Sequence, residues 1–168
     1  MNTLALAGSN RHPLPTRRAD DSSARWVCFE LAGQLYGLEI LKVQEVLADA
    51  EIESVPGAPY QILGVSNLRG SIVTIMDLRR RLGLPDTAVE RPICVIVVDA
   101  QGGEAVGLRV DRVANVRSIR SSAVKPVPET STRASGVLGV VTGNGEVLSL
   151  LDTNELIAPL QETKAHAA

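Results

Sequence analysis

Aromatic residues are almost missing from this 168-residue chain: one Trp, one Phe and two Tyr make up 2% of it. A surface that stacks nucleobases needs several such rings on a basic face, and the formal net charge is −2, so nucleic acid is excluded as a partner. Histidine is scarce as well. His12 and His166 lie near the two ends of the chain, outside any segment that reads as core, and neither is placed to serve as a general base. The two cysteines, Cys28 and Cys94, fall inside the apolar runs VCFEL and ICVIVV. They read as small buried hydrophobes in a reducing compartment, with neither a disulfide framework nor metal-ligand spacing. A phosphate-binding glycine loop is also missing, and Gly102-Gly103 reads as a hairpin turn. No apolar run approaches the roughly 20 residues that a membrane-crossing helix needs. The opening MNTLALAGSNRHPLPTRR carries its charges after a short apolar patch, the reverse of a secretory signal. The expectation is a cytoplasmic protein without catalytic site, cofactor or metal, and without direct membrane insertion.

What is present is a globular composition, 45% apolar and 21% charged. Ile62 to Leu82 organises it. ILGVSNL and SIVTIMDL read as two β-strands, the second rich in β-branched residues, joined at Leu68-Arg69-Gly70, where Gly70 supplies the φ > 0 of a tight turn. Asp77 then stands where a helix N-cap is useful. The pattern recurs at Val137 to Ile157. Gly64 aligns with Gly139, Val65 with Val140, Gly70 with Gly145 and Asp77 with Asp152. A second echo precedes each hairpin: Tyr36-Gly37-Leu38-Glu39-Ile40 resembles Val106-Gly107-Leu108-Arg109-Val110. Two echoes in the same order indicate an internal duplication.

Around these, Trp26–Leu31, Leu35–Ile40, Ile93–Val98, Ala105–Val110 and Val113–Ile119 read as strands, ICVIVV as one buried on both faces. Leu41–Ala48 fits a strand or a helical turn equally well. Pro59 is suited to open a short helix through Ile62, and residues 120–136 read as a long loop with one short strand at Val124–Val127. Asp152 caps a C-terminal helix through Leu160. Short strands at regular spacing with small cap helices predict a mainly β fold of small barrels.

The carboxylates Glu39, Glu45, Asp77, Asp99, Asp111 and Asp152 show no pairing of the acid–base kind, and Asp77 and Asp152 suit capping in both copies. Function is therefore expected in a surface. Glu45, between Val43 and Val46, and Arg69 at a hairpin tip read either as solvated charges or as an ion pair that orients a contact surface. Arg79-Arg80-Arg81 reads as the exposed face of a cap helix or as a basic patch.

YGLEILKVQEV (36–46), VPGAPYQILGVSNLRGSIVTIMDLR (55–79), VGLRVDRV (106–113) and GEVLSLLDTNELI (145–157) resemble the CheW-like family of chemotaxis coupling domains, with K-V-Q-E and G-V-x-N-L-R-G its most specific segments. The resemblance implies two SH3-like five-stranded β-barrel subdomains related by internal duplication, with short cap helices and a C-terminal helix. It implies a CheW-like domain over 24–160, a subdomain boundary near 80–92 with the C-terminal segment packing back, and mobile tails at 1–23 and 161–168. The chain is too short to carry a kinase or receiver domain beside it, so a stand-alone adaptor is expected. The implied partners are the cytoplasmic tip of methyl-accepting chemoreceptors and the regulatory domain of a CheA-type histidine kinase, within membrane-associated receptor arrays. Flagellar swimming, twitching motility and second-messenger control are all served by such adaptors. Carried over by position, Glu45 and Arg69 are the partner-binding residues, with Val43, Asn67, Gly64 and Gly70 shaping the same surface.

Overall fold

The structure, a computed structural model, describes residues 22–86, 88, 93–99, 104–127 and 136–166. In the first repeat, β1 (Ser23–Leu31), β2 (Gln34–Glu39), β3 (Val43–Leu47), β4 (Ile62–Leu68) and β5 (Ser71–Asp77) lead into α1 (Leu78–Arg81). In the second, β6 (Cys94–Asp99), β7 (Ala105–Val110), β8 (Arg112–Arg120), β9 (Val137–Gly143) and β10 (Glu146–Leu151) lead into α2 (Thr153–His166). They form two five-stranded sheets, ordered β8-β1-β2-β10-β9 and β3-β6-β7-β5-β4.

Matching β1–β5 with β6–β10 makes the two orders identical, strand for strand. Each repeat gives its first two strands to one sheet and its last three to the other. The boundary expected near 80–92 therefore separates the repeats, with α1 before it and β6 after it, but it divides neither sheet. The cause is the pairing at the seams. β5 runs parallel to β7 with Ile75 opposite Gly107, and β10 runs parallel to β2 with Leu150 opposite Gly37. These are the positions the sequence echo aligned. At both seams the glycine makes room: a Cβ on Gly107 would lie 2.4 Å from Ile75 Cδ1, and one on Gly37 would lie 3.2 Å from Leu150 Cδ2.

Three apolar clusters hold the fold. Val73, Ile75, Val95 and Val97 pack within the second sheet, and Trp26, Cys28, Ile119, Leu148 and Leu150 within the first. A five-stranded sheet can bury side chains against its own strands only by curling on itself. The third and largest cluster lies between the sheets, where Phe29, Leu38, Met76, Ile96, Leu108 and Leu151 meet. β6 feeds two clusters, Val95 and Val97 facing one and Ile96 and Val98 the other. The both-faces burial read from ICVIVV follows from this.

Several local expectations are corrected. Leu41–Ala48 contains both alternatives, a 3₁₀ turn at Ile40–Lys42 followed by β3. No helix starts at Pro59; a turn bond from Ile62 N to Pro59 O (2.8 Å) leads straight into β4. In the expected strand Val124–Val127 only Lys125 bridges a neighbour, Val140. The C-terminal helix runs past Leu160 to His166, so most of the expected tail 161–168 is helical. The tail expected at 1–23 lies outside the described residues up to residue 21, and β1 already begins at Ser23. The Gly102-Gly103 turn also lies outside them. Both caps are as read: Asp77 accepts from Arg80 N (3.2 Å) and Asp152 from Asn154 N (2.9 Å).

The arginines of α1 are neither a free face nor a basic patch, because each is pinned. Arg79 forks onto Asp111, Arg80 bonds Asp86 (3.1 Å) and lies 4.6 Å from the Tyr60 ring centre, and Arg81 donates to the Leu156 and Glu155 carbonyls at 2.9 and 2.8 Å. The last contact has a cause in the sequence. Pro159 has no N–H, so the Glu155 carbonyl lacks its helical donor and Arg81 supplies one.

Burial pushes the Asp111 carboxyl up, but Arg79 and the Ala32 N–H (2.8 Å) outweigh it and hold it below the usual value. A lowered carboxylate stabilises the fold above its unfolded pKa of about 3.9, and that contribution disappears as pH falls through the folded value. Asp111→Asn should therefore flatten the acid limb of the stability profile below about pH 4, read from urea midpoints taken at stepped pH.

Candidate functional surface

β3 places Glu45 through a bulge. Val43 lies opposite Val98 and Glu45 opposite Val97, so Gln44 is an extra residue on its strand. Val98 belongs to the cluster between the sheets, whereas Val97 belongs to the cluster inside the second sheet. Opposed residues share a face, so the bulge turns Glu45 onto the face opposite Val43. Without it both side chains would point the same way.

The β4–β5 turn brings up the partner. Arg69 and Gly70 have φ of 53° and 86°, the two left-handed residues of a two-residue hairpin turn. Asn67 locks the turn, its Oδ1 accepting from Gly70 N at 3.0 Å. Arg69 Nη2 then donates to Glu45 Oε2 at 2.9 Å. The Arg69 side chain is 86% exposed and that of Glu45 28%. Leu68, Ser71, Ile72 and Thr74 complete a shallow depression around the pair, and Ile72 is itself 67% exposed.

Of the six residues singled out, Glu45 and Arg69 are brought together as an ion pair at the surface. Asn67 and Gly70 build the turn. Val43 packs against the cluster between the sheets. Gly64 lets the chain cross: Glu53 and Val65 exchange two backbone bonds of 2.8 Å beside it, and a Cβ there would lie 2.0 Å from Glu53 O.

The second repeat supplies an internal control. β8 carries the same bulge, with Phe29 opposite Val113 and Cys28 opposite Asn115, so Asn115 occupies the place of Glu45. The β9–β10 turn has Asn144 at φ 51° and Gly145 at 79°, so Asn144 occupies the place of Arg69. The counterparts of Glu45 and Arg69 are thus two neutral amides, and beside them Arg117 donates to Asn115 Oδ1 at 3.3 Å and to Glu146 at 3.0 Å, tying β8 to β10. The turn itself does not need an arginine at its tip, and the first repeat carries Arg at a left-handed position that Asn adopts more readily.

Sequence reasoning missed a buried pair behind this surface. Arg109 Nη1 lies 3.1 Å from Asp77 Oδ2, with side-chain exposures of 7% and 0%. The register of the parallel seam sets Asp77 beside Arg109. The alternation of VGLRV suggests an outward Arg109, and only knowledge of that seam turns it inward. Burial pushes both thiols, Cys28 and Cys94, above the ordinary value, so neither is poised as a nucleophile. Among the described residues no group of three or more His, Cys, Asp or Glu gathers to hold a metal ion, and no helix is long and apolar enough to cross a membrane.

Comparison with known proteins gives one consistent family. Residues 25–161 match the profile of the CheW-like domain. The chain is 35% identical over 135 residues to chemotaxis protein CheW of Klebsiella aerogenes, covering 79% of this chain and 81% of that protein. It is 31% identical to the probable chemotaxis protein CheW of Rhizobium etli, covering 84% of this chain and 90% of that one. The crystal structure of the scaffolding protein TtCheW from Thermoanaerobacter tengcongensis superposes with a TM-score of 0.74 at 31% identity, over 81% of this chain and 93% of that one.

Proposed function

Because the chain belongs to the CheW-like family, we propose that it is a non-enzymatic adaptor that couples methyl-accepting chemoreceptors to a CheA-type histidine kinase. The observation that carries the site assignment is internal to the molecule. The same bulge and turn occur twice, and only in the first does an ion pair join the bulge residue to the tip of the turn; in the second those two places hold amides and the ion pair, Arg117–Glu146, lies beside them. An exposed arginine held at a turn tip where the other copy carries a neutral amide reads as a recognition feature.

In this reading the helical tip of the receptor lays an apolar side chain near Ile72 and Leu68 and meets the Glu45–Arg69 pair with its polar flank. The regulatory domain of the kinase docks barrel end to barrel end on a separate face. Both contacts share one rigid body, because the sheets exchange strands and close over a common core. A receptor displacement is thereby passed to the kinase without internal motion of the adaptor. Each contact buries on the order of 1,000 Å² or less and is micromolar, with avidity supplied by the array that recruits the adaptor from the cytoplasm.

The test is a pull-down of the purified chain with a receptor signalling tip and with a CheA regulatory domain. Arg69→Ala should lower capture of at least one partner by about tenfold or more, because a buried charged contact is lost from the complex. Its thermal midpoint should stay within a few degrees of wild type, since exposed pairs contribute about 1 kcal/mol or less. Undiminished capture of both partners would remove Arg69 from the interface.

A further inference from the structure

Among the described residues the most exposed large apolar side chain is that of Leu41, at 83%. It sits in the 3₁₀ turn Ile40–Lys42, which packs against β1. The duplication shows what is unusual about it. The alignment of Gly37 with Gly107 puts Leu41 at the place of Asp111. Asp111 is closed over by the Arg79 fork and accepts from Ala32 N at 2.8 Å. The counterpart of Arg79 is Asn154, whose Oδ1 is buried and has no partner among the described residues. One repeat therefore carries a covered ion pair at this place, and the other an uncovered leucine.

The N-terminal segment enters the fold beside that leucine. Trp26 lies opposite Glu39, the last residue of β2, so Ser23, Ala24 and Arg25 continue past the end of β2 at the level where the turn begins. Ser22 is tied there to Ser121, through its carbonyl at 2.9 Å and its hydroxyl at 3.1 Å. The 21 residues before Ser22 start from this point. At about 3.5 Å per residue, Arg17 can reach about 18 Å from Ser22 and Leu14 about 28 Å.

The order of charges in the segment matches the surface met on the way. Asp20 and Asp21 come first, beside Arg25 and Arg120, the latter opposite Ser23. Both arginines are exposed and make no ion pair among the described residues. Arg17 and Arg18 come next, and Glu39, half-buried and likewise without an ion pair there, immediately precedes the turn. Pro13-Leu14-Pro15 then brings up a leucine. Residues 1–18 hold three arginines and no Asp or Glu, so the segment is acidic at the entry and basic beyond it.

We propose that residues 13–21 fold back in cis over the 3₁₀ turn, Leu14 covering Leu41 while Asp20 and Asp21 meet Arg25 and Arg120 and the Arg17-Arg18 pair meets Glu39. The segment is a strap. A short tether supplies an effective concentration of about 1 mM, so a contact of only about 100 μM in isolation keeps it docked about nine-tenths of the time. Its consequence rests on the coupling role proposed above. Leu41 stands four residues before Glu45, so the docked strap covers one approach to the Glu45–Arg69 pair and the receptor tip has to displace it. A site open one-tenth of the time binds about tenfold more weakly than the same site left bare.

The test is disulfide trapping in the full chain carrying Leu14→Cys/Leu41→Cys, under oxidised glutathione. Leu14→Cys/Ser118→Cys is the comparison, because Ser118 is also exposed and lies opposite Arg25, near the same entry point. Leu14→Cys alone reports any pairing with the native Cys28 and Cys94. The Leu41 pair should close within one chain, independently of protein concentration, about tenfold faster than the Ser118 pair. About 500 mM salt, or Asp20→Asn/Asp21→Asn, should remove most of that advantage. Leu41 and Ser118 are exposed, so the melts of the reduced variants should match wild type. Capture of a purified receptor signalling tip by the oxidised Leu41 pair should fall about tenfold and return on reduction, whereas Leu14→Ser should capture up to about tenfold more than wild type. Equal trapping at Leu41 and Ser118, trapping chiefly between two chains, or equal capture before and after reduction would each overturn the proposal. Trapping is read on the adaptor alone, so failure of the strap and failure of the coupling role are told apart.

Discussion

Asp77→Ala should destabilise the protein by about 4–6 kcal/mol, enough to leave it near its unfolding threshold. The carboxylate is fully buried and does two jobs: Oδ2 faces Arg109 Nη1 at 3.1 Å and Oδ1 accepts from Arg80 N at 3.2 Å. Its removal leaves a guanidinium buried among strands, with Nε already lacking a hydrogen-bond partner. Breaking one side of such a pair costs about 3–5 kcal/mol, and losing the cap adds about 1. Urea titration by circular dichroism checks this. Asp77→Ala/Arg109→Leu should recover most of the loss, because the stranded charge is then gone. The aligned Asp152 gives the control. It caps α2 but lies opposite no cation, the counterpart of Arg109 being Glu39, so Asp152→Ala should cost only about 1 kcal/mol. Equal losses at the two aspartates would show that Arg109 contributes nothing through this pair.

Gly64→Ala should be nearly as damaging, and through the scaffold rather than the contact surface. At φ +152° the new Cβ would lie 2.0 Å from Glu53 O and 2.7 Å from its carbonyl carbon. Those are backbone atoms held by two bonds to Val65, so no side chain can swing away. Either the crossing segment detaches or the strand shifts, at about 3 kcal/mol or more. Gly70→Ala is the contrast: φ is +86° but nothing lies within 4 Å, and the cost is the backbone penalty of about 1–2 kcal/mol. If Gly64→Ala melts at the wild-type temperature yet fails to capture a partner, the assignment of Gly64 to the scaffold is wrong.

The sequence carried the duplication clearly because aligned residues do the same physical work in both copies. Gly70 and Gly145 close the same turn, and Asp77 N and Asp152 N both donate at 2.8 Å, to the aligned Gln61 O and Gly136 O. Glu45 and Arg69 were also visible, as charges with no turn or cap to justify them. The exchange of strands between the repeats was not. A repeat says that two segments share a local structure, and it is silent on which copy of each strand becomes a neighbour. That silence hid everything depending on the seams: the inward turn of Arg109, the space reserved by Gly37 and Gly107, and the way each sheet takes strands from both sides of 80–92. The arginines of α1 were unreadable for a related reason. Their partners Asp111, the Tyr60 ring and the Glu155 carbonyl are distant in sequence, and only Pro159 hinted that a carbonyl needed a donor.

Replacing the pair by its own counterparts from the second repeat, Glu45→Asn/Arg69→Asn, tests most directly whether a fold-neutral charge pair carries the function. The measurement is kinase autophosphorylation in a reconstituted mixture of receptor, kinase and adaptor, beside a thermal melt of the adaptor alone. An exposed pair is worth about 1 kcal/mol or less and Arg at a left-handed position costs a similar amount, so the melt should barely move. Receptor-dependent stimulation of the kinase should fall to the level seen without adaptor. Full stimulation by the doubly substituted protein, with its melt unchanged, would contradict the assignment of coupling to Glu45 and Arg69.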